Sequence, residues 1–330
     1  MKHKKLIALG VFILFAIGVM VFLRYKSTHI STDDAYITND IYWVNPEVSG
    51  SITKVLIDNN KYVKKGQLLA VIDQKPYRIA LQAAEAEVSL YKAKLKEVEA
   101  LLKQSQAQTQ LIQARIKKAQ WDFNRAKRLF AKKVISKDSY EKYLTALNVL
   151  KAQLKANKAA IDQAKASLGS LKKALDAAKA KLNSAKLNLS YTLIKAPHNG
   201  YITKKSIEVG KFVSPALPIC AIVPKNGAWI VANYKETQLN KIKIGDKVKI
   251  SIDAYPSKTF YGHVKSIQYG TGEVFSLFPP QNASGNWIKV VQRVPVKIVF
   301  DKTPEVPLRV GMSATTVVLV GTHGKQTANK

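Results

Sequence analysis

The side chains able to do chemistry are few and scattered. Cys220 is the only cysteine in 330 residues, so neither a disulfide framework nor a thiolate metal cluster can form, and a lone cysteine is expected to pack as a small buried hydrophobe. The five histidines, His3, His29, His198, His263 and His323, include no i, i+4 pair that would hold zinc from one helix face. No Gly-x-Ser-x-Gly elbow, P-loop or metal-spaced His/Glu motif occurs. Gly270-Thr271-Gly272 is too short a signal for nucleotide binding, and Asn282-Ala283-Ser284 has only the form of a glycosylation sequon. The expectation is a protein that is not an enzyme and holds no metal or cofactor. One cluster stands apart from this scatter. Val134 and Ile135 are apolar residues in a turn with no core to join, ringed by Lys132, Lys133 and Lys137, and Ser136 is placed to cap the next helix.

The elements that position this turn are read from hydrophobic period. Apolar residues recur at alternating steps of three and four through Leu81, Ala84, Val88, Tyr91, Leu95, Val98, Leu102, Ile112, Ile116, Ala119, Phe123, Ala126 and Phe130, interrupted only by Ser105 and Thr109. The same beat runs from Tyr140 and Tyr143 through Leu147, Leu150, Leu154, Ile161, Ala164, Leu168, Leu171, Leu175, Ala178, Leu182 and Ala185 to Leu189, broken at Asn157. Sustained heptads mean a coiled coil. The two registers mirror each other about Ile135, which predicts one antiparallel hairpin with its tip at residues 131–137. Pro76 suits the first turn of the first arm, and Pro197 lies just beyond the second. Each arm of about 55 residues reaches about 80 Å. Trp121 falls opposite the seam, and Leu90, Leu101 and Leu111 also lie off it; Trp121 and Leu111 are therefore candidates for lateral packing against a second copy of the chain.

A repeat brackets the hairpin. Gly50-Ser51-Ile52-Thr53-Lys54 returns as Gly200-Tyr201-Ile202-Thr203-Lys204, and Lys61-Tyr62-Val63 as Lys211-Phe212-Val213. The same offset carries Leu69 and Ile72 onto Ile219 and Ile222. Both copies alternate as short strands do, and neither is long enough to bury a core alone, so the two are expected to close on each other as one small β-sandwich. After Pro224 the pattern is again of strands: Trp229 to Ala232, Lys247 to Ile252, a long face marked by Ile288, Val290, Gln292, Val294, Val296, Ile298 and Phe300, and Val317 to Val320. This fits a small antiparallel barrel, with Pro295 expected at an edge or a bulge.

Residues 6–23 carry no charge and come after Lys2, Lys4 and Lys5, the pattern of an uncleaved transmembrane anchor with its N-terminus in the cytoplasm and the rest across the membrane, which in a bacterium is the periplasm. The net charge of +31 is spread along the chain without interleaved aromatics, so a nucleic-acid partner is not expected, and a lysine-rich solvated helix surface is.

Further segments carry a family resemblance: Thr32-Asp33-Asp34-Ala35-Tyr36, the split repeats at Gly50 and at Ala196-Pro197, Ala232-Asn233-Tyr234-Lys235-Glu236-Thr237-Gln238-Leu239, and residues 270–287, with Phe275-Ser276-Leu277-Phe278-Pro279-Pro280 at their centre. With these the chain resembles the EmrA-type branch of the HlyD family of membrane fusion proteins. The resemblance implies a split lipoyl-like domain, a helical hairpin and a β-barrel, in agreement with the pattern of the residues, so the expected chain is α+β and multidomain: a cytoplasmic tip and transmembrane anchor (1–27), a β lead-in and first lipoyl-like half (28–75), a coiled-coil hairpin (76–191), a second lipoyl-like half (192–225), a β-barrel (226–322) and a disordered tail (323–330). It implies a periplasmic adaptor, homo-oligomeric, bridging an inner-membrane major-facilitator drug/proton antiporter to a TolC-like outer-membrane channel. Adaptors of this family carry Arg-x3-Leu-x6-Ser at the hairpin tip, and Arg125, Leu129 and Ser136 match that spacing. Arg125, Leu129, Val134, Ile135 and Ser136 are thus the expected channel contacts. The modifiable lysine of true lipoyl domains is replaced by the coiled coil, so no lipoylation is expected. An adaptor of an ABC-type protein secretion system, a membrane-tethered coiled-coil scaffold and a carrier-domain enzyme component are the competing readings.

Overall fold

In a computed structural model, residues 27–272 and 290–322 are described, with Gly18, Met20, Arg24 and Val274. The expected anchor at residues 6–23 lies outside them except for Gly18 and Met20, as do most of the characteristic 270–287 segment and the tail. Among the described residues no helix is long and apolar enough to cross a membrane.

Strand β1 (His29–Thr38) leads into β2 (Tyr42–Val44), β3 (Gly50–Val55), β4 (Tyr62–Val63) and β5 (Leu68–Ile72). Two long helices come next, α1 (Lys75–Ala131) and α2 (Lys137–Tyr191). The chain returns through β6 (Leu193–Lys195), β7 (Gly200–Thr203), β8 (Phe212–Val213) and β9 (Cys220–Val223). It ends in β10 (Trp229–Lys235), the one-turn helix α3 (Glu236–Leu239), β11 (Lys247–Ile252), β12 (Thr259–Ile267), β13 (Arg293–Phe300) and β14 (Ser313–Leu319).

The repeated segments form two four-stranded sheets, β2-β9-β7-β4 and β6-β5-β3-β8. The offset of the sequence repeat carries one sheet onto the other strand for strand, and each sheet mixes strands from both copies. Neither half therefore has a sheet of its own, and the hairpin is an insertion into one interleaved unit. Ile52, Leu69, Ile72, Ile202, Ile219 and Ile222 fill the space between the sheets, each fully buried and each contributing about 2 kcal/mol over exposure. The repeat's glycines have a steric cause. A Cβ at Gly50 would lie 2.6 Å from Ile72 Cγ2, and one at the equivalent Gly200 would lie 2.7 Å from Ile222 Cγ2 and 2.4 Å from the Val223 carbonyl oxygen.

The hairpin stands on this unit. Gln74 Nε2 donates to Thr192 Oγ1 (3.0 Å) across the roots of the two arms, and Tyr77 Oη donates to the Ser49 carbonyl (2.6 Å). Along the arms the heptad positions are buried or half-buried as the period requires, while the intervening positions are mostly exposed. One assignment near the tip is corrected: Tyr143 is 45% exposed, and Leu144 beside it is half-buried. The rings that meet across the arms are Tyr140, Phe130 and Phe123: Tyr140 stacks on Phe130 at 5.0 Å and lies 5.6 Å from Phe123, so Phe130 keeps its seam place although the end of the rod leaves it 38% exposed.

The barrel closes in the order β1-β10-β13-β12-β11-β14. Its first strand comes from far up the chain, so the 28–75 segment is divided: β1 belongs to the barrel, and β2 to β5 belong to the sandwich. Without β1, strands β10 and β14 would be open edges; β1 pairs with both and turns Ile30, Thr32, Ala35 and Ile37 inward. Because the barrel is closed, Pro295 is not at an edge. It lies opposite Asn233, and its carbonyl accepts Gln268 N–H (3.0 Å) just past the end of β12. The register shift opposite β13 falls in β12 between Val264 and Ser266. Strand β13 begins at Arg293, not at Ile288; Val290 and Gln292 precede it, and Ile288 lies outside the described residues.

Candidate functional site

The tip is built by one tight reversal. Lys133 adopts a positive φ of 57°, its N–H bonds the Phe130 carbonyl and the Val134 N–H bonds the Leu129 carbonyl, both at 2.9 Å, closing the end of α1. Ser136 then caps α2, its Oγ accepting the Ser139 N–H at 3.2 Å and donating to Ser139 Oγ at 3.0 Å. Ser136 is thus occupied structurally as well as exposed.

The five expected contact residues lie together on the last turns of α1 and the reversal. Arg125 is exposed and makes no hydrogen bond or ion pair with the described residues. Leu129 shares its face one turn on, but it is half-buried and so not the free surface leucine that an off-seam position leads one to expect. Val134 is 65% exposed at the apex and Ile135 is half-buried below it. Arg125, Lys127, Arg128, Lys132, Lys133 and Lys137 make the end of the rod basic, with Asp138 and Glu141 engaged by Lys142 and Lys137. Such a surface can seat apolar side chains in a recess and offer a guanidinium fork to carbonyls or carboxylates.

Trp121, one turn below Arg125, is 65% exposed with Lys117 Nζ 5.4 Å from its ring centre. It heads a column opposite the seam that continues at seven-residue steps through Ala114, Ala107, Ala100, Ala93 and Ala86 to Ile79, all exposed. Leu111 is 46% exposed beside that column. The helix therefore has a second, outward apolar stripe, which the period of the seam had masked.

Two polar clusters were present in the sequence only as separate pieces. The interruptions of the heptads meet: Asn157 Nδ2 donates to Thr109 Oγ1 (2.7 Å) and to the Ser105 carbonyl (2.9 Å), while Thr109 Oγ1 donates to that same carbonyl (3.1 Å). At the barrel, Asp33 and Asp34 fall where the register of β1 against β14 shifts. Asp34 accepts Asn233 Nδ2 (3.0 Å) and pairs with Arg293 Nη1 (3.0 Å), and Thr32 Oγ1 donates to the Asn233 carbonyl (2.9 Å). Two of the segments that carry the family resemblance are thus one side-chain network.

Two buried titratable groups are held in their neutral forms. Burial pushes the Cys220 thiol up to about 11, the opposite of an activated nucleophile. Burial likewise raises the Tyr234 phenol, against the opposing effect of its 2.7 Å hydrogen bond with Thr316. Among the described residues no three His, Cys, Asp or Glu side chains gather round a common point.

The chain as a whole has counterparts in known proteins. The family model described as RND MFP, barrel-sandwich hybrid domain, matches residues 41–224, and the AAEA-like β-barrel domain matches 228–319. The colistin resistance protein EmrA of Acinetobacter baumannii is 36% identical, over 96% of this chain and 95% of that protein. The multidrug export protein EmrA of Escherichia coli K12 is 34% identical, over 96% of this chain and 83% of that protein. Among solved structures, MacA of Actinobacillus actinomycetemcomitans shares the fold with a TM-score of 0.65 at 21% identity, over 89% of this chain and 80% of that one. An interleaved sandwich carrying a long hairpin and closed off by a barrel, matched in sequence from end to end by EmrA proteins, places this chain among the membrane fusion proteins, in their EmrA-type branch.

Proposed function

We propose that the protein is the periplasmic adaptor of a tripartite multidrug efflux pump, and that it works by contact and not by catalysis. Residues 6–23 would hold it in the inner membrane, where its partner is a major-facilitator drug/proton antiporter. The hairpin would reach a TolC-like outer-membrane channel and meet it with Arg125, Leu129, Val134, Ile135 and Ser136. Copies would pack side by side along the outward stripe of α1 that holds Trp121 and Leu111.

The observation that carries this reading is a rod of about 80 Å, rooted in a sandwich at one end and ending in exposed basic and apolar side chains at the other, in a chain whose relatives are named for drug export and resistance. An ABC-type secretion adaptor would share the rod and sandwich, but those names favour the drug branch. A photo-crosslinking residue in place of Val134 tests the reading in cells. It should trap the outer-membrane channel, and deletion of the gene should raise drug sensitivity. Unchanged sensitivity together with no channel adduct would overturn the proposal.

A further inference from the structure

The hairpin has one strongly charged edge that bridging does not call for. Lys151, Lys158, Lys165, Lys172, Lys179 and Lys186 occupy a single heptad position of α2, each immediately after a seam residue: Leu150, Asn157, Ala164, Leu171, Ala178 and Ala185. All six are exposed. At seven residues per step they stand about 10 Å apart along the rod. A merely solvated helix would spread its lysines over every outward position. Between residues 144 and 190 the other lysines are only Lys155, Lys173 and Lys181. The opposite edge of α2 at the same step reads Ala146, Gln153, Ala160, Ser167, Ala174, Lys181 and Asn188, and its one charge is paired with Glu87 at 3.1 Å.

The column is weakly neutralised. Lys165 and Lys179 lie 3.9 Å and 3.5 Å from Asp162 and Asp176 on open surface, and the other four make no hydrogen bond or ion pair with the described residues. The α1 positions flanking the column are Glu85, Lys92 and Glu99, then Gln106, Gln113, Gln120 and Lys127, so toward the tip that edge carries no acid. The adjacent outward column, three and four residues from these lysines, holds Asn148, Lys155, Asp162, Gly169, Asp176 and Asn183, and the next one round reads Ala152, Ala159, Ala166, Lys173, Ala180 and Leu187, so the surface beside the charges is mostly small and polar, with two scattered acids.

This chemistry selects the occupant. Protein interfaces are depleted in lysine and anchored by aromatic and arginine side chains, none of which lies in the column. Lysines are point charges without arginine's bidentate geometry, suited to a repeating polyanion more than to one shaped epitope. A second copy of the chain does not complement the column, since no heptad position of either helix carries a run of acids. We propose that the lysine column binds a linear acidic glycan laid along the hairpin. One carboxylate per disaccharide repeats the charge at close to the spacing of the lysines.

The test uses the purified full-length chain in detergent, with hyaluronate as probe at low salt, polyglutamate as a polypeptide anion and dextran as a neutral glycan. One variant replaces the six column lysines with Gln. A second, of equal net charge, replaces Lys54, Lys64, Lys195, Lys241, Lys249 and Lys302, all exposed and off the column. Gln and Lys have similar helix propensity, and the control positions lie exposed on strands, turns and loops, so circular dichroism should match wild type in both. The column variant should lose hyaluronate affinity about 60-fold, roughly a factor of two for each exposed charge contact, and the control under about threefold. Dextran should not bind. Equal losses in the two variants would mean bulk charge and overturn the proposal, as would no binding by the wild type. Tighter, column-dependent binding of polyglutamate would overturn it in favour of an acidic protein partner. No pump component enters the measurement, so it stands or falls apart from the adaptor reading.

Discussion

At the residue scale, stability and docking should separate. Arg125 is exposed and unpaired among the described residues, so Arg125→Asp should change folding free energy by no more than about 0.5 kcal/mol while abolishing crosslinking to the channel and raising drug sensitivity. Normal crosslinking in a folded Arg125→Asp protein would remove the tip from the mechanism. Leu129 is a poorer probe because it is half-buried, and Ser136→Asp keeps the cap while changing shape and charge. Asn157 should behave in the opposite sense. A polar side chain in an apolar seam specifies register at a cost in stability. Asn157→Leu should therefore raise the hairpin's melting temperature, by roughly 1 kcal/mol of stabilisation, since Thr109 keeps its own bond to Ser105. A lower melting temperature would show that the polar layer holds the arms together. For Cys220 the sign comes from burial. The folded thiol keeps its proton up to about pH 11, whereas an unfolded one loses it near the ordinary 9.0. Its stabilising contribution is whole below pH 9 and is lost as the pH climbs toward 11. A thiol reagent at pH 8 should label Cys220 only after denaturant is added, and prompt labelling of the native chain would contradict its burial.

At the element scale, the hairpin depends on its seam. Leu150 and Leu154 are half-buried in it, and Asp at both positions would place two carboxylates against apolar partners at a cost of at least about 2 kcal/mol each. The helical signal in circular dichroism should fall while the β signal remains, because the sandwich and barrel have cores of their own. Full helicity with intact export would mean that the seam is not what joins the arms. The seam was legible because period is a local property, written in every few residues. Its failure at Tyr143 falls where the rings of Phe123, Phe130 and Tyr140 meet across the arms, so that ring packing and not the period decides which side chain is covered.

At the scale of the whole molecule, a reporter active only in the periplasm should work when fused after Lys330 and fail when placed before Leu6; the reverse would invert the proposed topology. The repeat separated by the hairpin could be read from residues such as Gly50 and Gly200 because both copies meet the same steric demand, a neighbouring strand too close for a Cβ. The chain alone thus determined the rod, its turn and the paired halves, each the product of a local period or of a motif written twice. Only the tertiary structure decided which strand closes the barrel, that Ser105, Thr109 and Asn157 are one layer, and that Asp34 meets Asn233 and Arg293. These depend on which edge or buried polar group would be left unsatisfied once the elements assemble, and β1, some 190 residues before its partner β10, carries no local mark of the edge it will cover.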